Sequence, residues 1–520
     1  MTEPRGKVVM VVLDACEPAL LDEGMSAGWL PNLARFFAAG ASLRLAPVDE
    51  YLPGTAWPSL NTGVPFTGHR MQLDRRLAPR SYRVVDVRAG ESEAPPFWRY
   101  VSDHGLRSTV ANLYSAPLVE GLNGTQLQGW ATIDPYTSKF GLALVDPPQI
   151  QDRLERAAGR PATLYEVRAP ESVGDVRRYR DGRIADIRTR TSAHALLMRE
   201  TDWALYVVSY PEAHQAGHLL WHVHDPEHPD HDPEAPEDVR DSVRALYREL
   251  DTAVGKLLEL CPKDATVLLL SPHGMGANRL VGDPAPEVLR RANWLVSDRE
   301  SGRPALKARL RSRAWQEARR VVPERIRLAM RRRLADREWV GELALQGIAW
   351  EETRAFAVPP DAGSYVRLNV RGREPAGIVE PGIDYARATD ELARLFGDLR
   401  LGPDGEPAVD RVLRAAELGG RPDGSDGTPD LLVVWSKTAR VERVHSDLIG
   451  TVEGPRTDGR TGQHRPLGFV AGVGPGIAAA GSAIVGTDQA TLLDVAPTAL
   501  ALLGVPQPSA LPGSPIAALV

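Results

Sequence analysis

His214 and His218 stand four residues apart in the segment EAHQAGH. On a helix this spacing turns both imidazoles from one face toward one point, a geometry that zinc sites use. Alone such a pair is a weak signal, since His222, His224, His228 and His231 follow in what reads as a solvated loop. A third neutral ligand has to come from elsewhere, and His464 in the Gly-flanked turn GRTGQHRPLG is the best candidate. Three histidines leave one position of a tetrahedral ion open, and an ion so held polarises a bound water or a phosphoryl oxygen. Three more fragments carry residue types suited to the same chemistry: VVMVVLDA with Asp14, LPGTAWPSLNTG with Thr55 and Ser59, and SPHGMG with His273.

These residues need rigid elements behind them. Lys7 to Leu13 is a Val-rich run, as expected of a parallel strand buried on both faces, and it ends on Asp14. Trp203 to Ser209 and Ala265 to Ser271 share that apolar pattern, and each also stops at a motif. Between them, Val239, Val243, Leu246, Leu250, Val254 and Leu257 recur at helical spacing, which predicts a crossover helix within Glu237 to Leu260. In open sheets of this type ligands gather beyond the carboxyl ends of the strands, where Asp14, the His214 segment and His273 all fall. Asp430 to Trp435 and Gly468 to Val473 read as further strands, and Ala490 to Leu503 as a packed helix. The fold class expected is α/β, a central mostly parallel sheet flanked by helices with an inserted, partly helical cap.

The 520 residues suit one large catalytic domain carrying an insertion. The expected division is a first core segment 1–277, an Arg-rich helical cap region 278–350, and the remainder of the core 351–520. The cap contains RSRAWQEARRVVPERIRLAMRRRLADREW, most simply a solvated helical face. With 62 basic and 68 acidic residues the formal charge is -6, so no global field favours a nucleic acid polymer. Cys16 and Cys261 lie far apart without metal-type spacing, which argues against a disulfide framework and for a reducing compartment. The apolar run Val8 to Leu13 is too short for a signal segment or a membrane span, so a cytoplasmic protein with no membrane partner is expected.

Taken in order, the fragments resemble the alkaline phosphatase superfamily, in particular its type I phosphodiesterase and nucleotide pyrophosphatase branch. Asp14 matches the aspartate ending the family's first strand, and Thr55 before Thr62-Gly63 matches its nucleophile. His214, Gly217-His218, His273-Gly274-Met275 and His464 follow in the family's order, and TLLDVAPTALALLGVP resembles its last helix. The resemblance implies a metal-dependent hydrolase of phosphate esters acting on a small phosphorylated molecule. It implies Thr55 as the catalytic hydroxyl, and Asp14, Thr55, His214, His218, His273 and His464 as ligands of one or two divalent ions, zinc being favoured by the imidazoles. Phosphodiester or pyrophosphate cleavage stands ahead of phosphomonoester cleavage, phosphotransfer, or binding of a phosphorylated ligand without turnover. A formylglycine sulfatase is disfavoured, because no Cys-x-Pro-x-Arg occurs.

Two departures from the family pattern bear on the chemistry. Pro272 stands where the family has an aspartate before His273, and His214 replaces a common aspartate. Both remove negative charge, and Glu212 is a possible additional ligand that would restore a carboxylate. Family spacing counted back from Thr62-Gly63 reaches Pro53, so Thr55 implies a shortened loop, with Ser59 as the fallback hydroxyl. Trp57 and His69 read as packing residues. Asn112, Trp130 and Asp134 are candidates to line the site, and the alternating Arg367, Asn369, Arg371 and Arg373 read as a structural strand face.

Overall fold

Runs of β-branched and aliphatic residues build the centre of the molecule. In this computed structural model the described residues are 6–48, 53–71, 75–87, 89–130, 144–159, 170–298, 345, 347–358, 363–421, 424, 426–454, 459–479 and 489–520. The chain divides into two compact units: Met1–Gln72, Arg88–Ala277 and Asp458–Val520 form the first, Leu73–Val87 and Asn278–Thr457 the second. The Arg-rich stretch 311–339, expected to be helical, lies outside the described residues, as does Asp134.

The first unit is organised by a nine-stranded sheet. Its strands are β1 (Val8–Leu13), β2 (Ala41–Ala46), β3 (Ser108–Ala111), β4 (Gly124–Gln128), β5 (Leu144–Asp146), β6 (Leu205–Tyr210), β7 (Thr266–Ser271), β10 (Gly468–Val473) and β11 (Gln489–Thr491). The spatial order is β11-β2-β10-β7-β1-β6-β3-β4-β5. β1 pairs in parallel with both β6 and β7, whereas β10 lies antiparallel between β7 and β2. The expected mostly parallel sheet is present, and the three strands predicted to carry site residues are its central neighbours.

All six β1 residues are buried, because helices cover both faces. Val9, Val11 and Leu13 pack into one core with α1 (Pro18–Ser26), α2 (Pro31–Ala39), α4 (Val173–Glu200), α5 (Glu212–His224) and α6 (Ser242–Leu260). Val8, Met10 and Val12 pack into the opposite core with α3 (Ala56–Thr62) and α7 (Leu492–Leu503). Helix α6 buries Val243, Leu246, Leu250, Val254 and Leu257, the stripe its sequence spacing predicts. Helix α7 starts with a capping box between Thr491 and Asp494 and ends at Gly504 in the left-handed conformation.

The second unit holds a four-stranded antiparallel sheet of Ala355–Val358, Ser364–Leu368, Leu431–Trp435 and Val409–Arg414, with the helix Ile383–Gly397. Among the described residues no helix is long and apolar enough to cross a membrane.

Candidate metal centre

Parallel pairing brings the ends of β1, β6 and β7 to one edge of the sheet, and that fixes where the side chains can meet. The Asp14 N–H donates to the Tyr210 carbonyl at 2.9 Å, locking the end of β1 to the end of β6. The chain then turns sharply through Ala15, whose φ of 52° lies in the left-handed region, a strained conformation for alanine. Helix α5 begins directly after β6 and carries His214 and His218 one turn apart. After β7, a two-stranded antiparallel sheet of β8 (Gly274–Ala277) and β9 (Gly462–Arg465) pairs Met275 with His464, which carries His464 from the far end of the sequence to the same edge.

Two glycines allow the helix and this two-stranded sheet to approach this closely. A side chain at Gly217 would meet Met275 Cγ at 2.7 Å, and one at Gly462 would overlap the Gly217 carbonyl oxygen. The contact fixes ring orientation. His218 Nδ1 lies 2.8 Å from the Gly462 carbonyl oxygen and donates to it, while the Thr461 N–H donates to the His218 carbonyl at 2.7 Å.

The imidazoles of His214, His218 and His464 converge. His214 Nε2 lies 2.9 Å from His218 Nε2 and 3.1 Å from His464 Nε2. His273 packs against this group, its ring centroid 4.3 Å from that of His464, and its Nε2 is 3.6 Å from Asp14 Oδ1. Asp14 is fully buried, and its Oδ2 accepts from His214 Nδ1 at 2.7 Å while Oδ1 accepts from Trp57 Nε1 at 2.9 Å. Burial alone would raise the Asp14 carboxyl, but the charges of His214 and His273 and the hydrogen bonds from His214 and Trp57 outweigh it and hold it below the usual range.

The tautomers that follow leave ring nitrogens facing one another. With Nδ1 the donor on both His214 and His218, their Nε2 atoms face each other through lone pairs, a contact that only a shared proton or a cation relieves. Burial pushes the His218 and His464 rings well below the ordinary histidine range, with Arg460 and the neighbouring histidines adding to the effect, so protonation is disfavoured. A tetrahedral zinc with bonds of about 2.0–2.1 Å spaces its nitrogen ligands by roughly 3.3–3.4 Å. The two spacings to His214 Nε2 need only a few tenths of an ångström of adjustment. Among the described residues, His214, His218 and His464 are the single group of three or more His, Cys, Asp or Glu donors able to hold a metal ion, their atoms lying within 4.8 Å of one another.

The other sequence candidates have defined places. Thr55 is buried at the junction of a short 3-10 turn, Pro53–Thr55, and α3, and its side chain makes no capping hydrogen bond to that helix. Two residues on, Trp57 reaches Asp14. Glu212 opens α5, but its Oε1 accepts from Arg190 Nε at 3.0 Å and both side chains are fully buried. Arg190 also donates to the Trp130 carbonyl at 2.8 Å, so this pair pins the start of the helix that carries His214. Ser59 is fully buried, its Oγ 3.0 Å from His69 Nε2. Because Met71 N–H donates to His69 Nδ1, His69 Nε2 carries the proton and Ser59 accepts it; His69 is not poised as a base for this serine.

Asn112 accepts from Trp130 N–H at 2.8 Å and lies 3.3 Å from His194 Nε2, a structural link. Sequence reasoning placed His222, His224, His228 and His231 in a solvated loop, and the structure differs. His222 and His224 end α5, and His228 is buried with its Nε2 donating to the Thr461 carbonyl at 3.0 Å. His222 and His228 clamp Thr461 in the segment that precedes His464. Trp57 and Arg190 were not legible as partners of the centre, although Trp57 shares a fragment with Thr55.

A central, mostly parallel sheet flanked by helices, with these side chains beyond its strand ends, is an architecture shared with solved structures of the alkaline phosphatase-like fold. A wild-type alkaline phosphatase PafA superposes with a TM-score of 0.52 at 12% identity, covering 100% of this chain and 99% of that one. The phosphonoacetate hydrolase of Sinorhizobium meliloti 1021, in complex with phosphonoacetate, gives 0.51 at 16% identity with 96% of each chain covered. The type I phosphodiesterase / nucleotide pyrophosphatase family matches residues 8–353, and the chain belongs to that family, within the alkaline phosphatase superfamily. No curated protein gives a significant sequence match.

Proposed function

We propose that the protein is a metal-dependent hydrolase of phosphate esters, with phosphodiester or nucleotide-pyrophosphate substrates ahead of monoesters, and that Thr55 is its nucleophile. The observation that carries this reading is the convergence of three imidazole Nε2 atoms, two of them held in the ligating tautomer by Asp14 and by the Gly462 carbonyl. A divalent cation bound there, zinc being the best match to imidazole donors, supplies a Lewis acid for a phosphoryl oxygen.

The chain's own residues do the rest. Asp14 fixes the ring of His214, and Gly462 and Thr461 fix that of His218, so the ligand atoms need not reorganise when substrate arrives. The Thr55 oxygen gives up its hydroxyl proton and forms a bond to phosphorus as the ester oxygen leaves with the bonding pair and takes up a proton; water then cleaves the phosphothreonine, its hydroxyl going to phosphorus and its other proton returning to the Thr55 oxygen. Arg460, whose charge is felt at His218 and His464, adds positive potential suited to an anionic substrate.

Metal analysis combined with turnover of bis-p-nitrophenyl phosphate and p-nitrophenyl phosphate tests this function. Turnover of either ester that falls by roughly 10³-fold or more in Thr55→Ala, with metal content retained, is the expected result. Metal content without turnover on a broad ester panel would instead favour a protein that binds a phosphorylated ligand, a reading motivated by Pro272.

A further inference from the structure

Resting on the metal-dependent reading above, we propose that the centre holds one divalent cation, on His214, His218 and His464, and that Asp14 serves that cation indirectly by orienting His214 instead of binding a second ion. Donor chemistry around Asp14 supports this. Each of its oxygens accepts a hydrogen bond, Oδ2 from the His214 Nδ1 at 2.7 Å and Oδ1 from the Trp57 Nε1 at 2.9 Å, and the first ties it to a ring of the triad. A carboxylate that accepts from the non-ligating nitrogen of a histidine is the usual outer support of a metal ligand, setting both tautomer and ring angle.

A second ion would also need companions for Asp14. His273 Nε2 is 3.6 Å from Asp14 Oδ1, but the residue before it is Pro272, which has no donor atom to add. The carboxylates on the flanking elements are engaged. Glu212 is paired with Arg190, and Glu17 accepts from Ala19 N–H at 3.3 Å and Met275 N–H at 3.0 Å. Charge points the same way. Among the described residues Asp14 is the one carboxylate within ion-pair distance of the clustered rings, so a single dication leaves a net charge of about +1 and two would leave about +3, with four times the mutual repulsion of unit charges at equal distance. The imidazole triad alone meets the three-ligand requirement of an open tetrahedral site.

The stoichiometry can be read directly. Purified protein is equilibrated with excess zinc, desalted, and analysed by plasma mass spectrometry, with a cobalt(II) titration followed by absorbance as a second measure. One metal per chain, with the cobalt signal saturating at one equivalent, is expected. Two per chain would overturn the one-ion proposal and leave the metal-dependent function standing, whereas none would overturn the function itself. His464→Ala is expected to retain no metal and to lose zinc-induced thermal stabilisation, and His273→Ala to retain one metal. An ion kept by His464→Ala, or lost from a folded His273→Ala, would place the cation at Asp14 and His273 and refute the proposal.

Discussion

Two buried polar clusters, one in each unit, use similar residue types to opposite ends. In the second unit Arg373 donates to both oxygens of Asp430 at 2.7 and 2.8 Å and from Nε to Glu374 at 2.8 Å. Arg367 donates to Glu374 at 2.8 Å and to the Thr428 and Gly424 carbonyls. Tyr385 and the Leu368 N–H fill the remaining positions on Asp430. Cation meets anion, and the network is closed. In the first unit the cluster contains one carboxylate and converging imidazole nitrogens. A closed network rigidifies a core, while converging nitrogen donors are suited to taking up a cation. The alternating arginines of YVRLNVRGRE are therefore framework: Arg367 and Arg373 serve the network, Arg371 pairs with Glu380 at the surface, and Asn369 donates to three backbone carbonyls.

The contrast is broken most severely at His218. His218→Ala should lower ester turnover roughly 10³–10⁴-fold, about 4–5.5 kcal/mol of barrier, and abolish metal retention, while thermal unfolding in chelator stays cooperative. Arg373→Met should behave in reverse. Leaving Asp430 and Glu374 without their cation costs about 3–5 kcal/mol in urea unfolding, and the metal content of the folded fraction stays unchanged.

Smaller effects sharpen the comparison. Gly217→Ala forces a methyl against Met275, and a loss of about 1–3 kcal/mol in unfolding free energy is expected together with weaker zinc retention in a chelator competition. His69 tests whether a satisfied histidine behaves unlike the ligating ones. Burial, aided by Arg70, holds its ring down to about 3, below the ordinary 6.5. Between those values the unfolded chain binds a proton that the folded chain does not, so stability present above pH 6.5 is lost as pH falls, at up to about 1.4 kcal/mol per unit. His69→Gln should flatten that acid limb in urea titrations from pH 7 to pH 4, and an unchanged slope would show that the His69 ring does not titrate this way.

Much of the first unit was legible because local pattern and burial agree there. Runs such as VVMVVL and TVLLLS, short and rich in aliphatic residues, read as strands covered on both faces, and the stripe from Val243 to Leu257 reads as a helix with one buried face, as both are. The residues flanking them were harder to place. Trp57 reads as packing because nothing in the sequence records that its indole meets Asp14, 43 positions away, and the histidines after His218 read as solvated because their partner, Thr461, is far off in the chain.

The amino-acid sequence by itself determined the central strands, the crossover helix, the order of the motifs and the ligand-forming residue types, since these depend on periodicities and chemistries local to each segment. Tertiary structure alone decided which nitrogen of each ring faces inward, that Glu212 belongs to Arg190, and that Asp14 holds His214 with one oxygen and Trp57 with the other. Those outcomes depend on distances of a few ångströms between residues as many as 250 positions apart, set by parallel pairing and by two glycines that let backbone meet backbone.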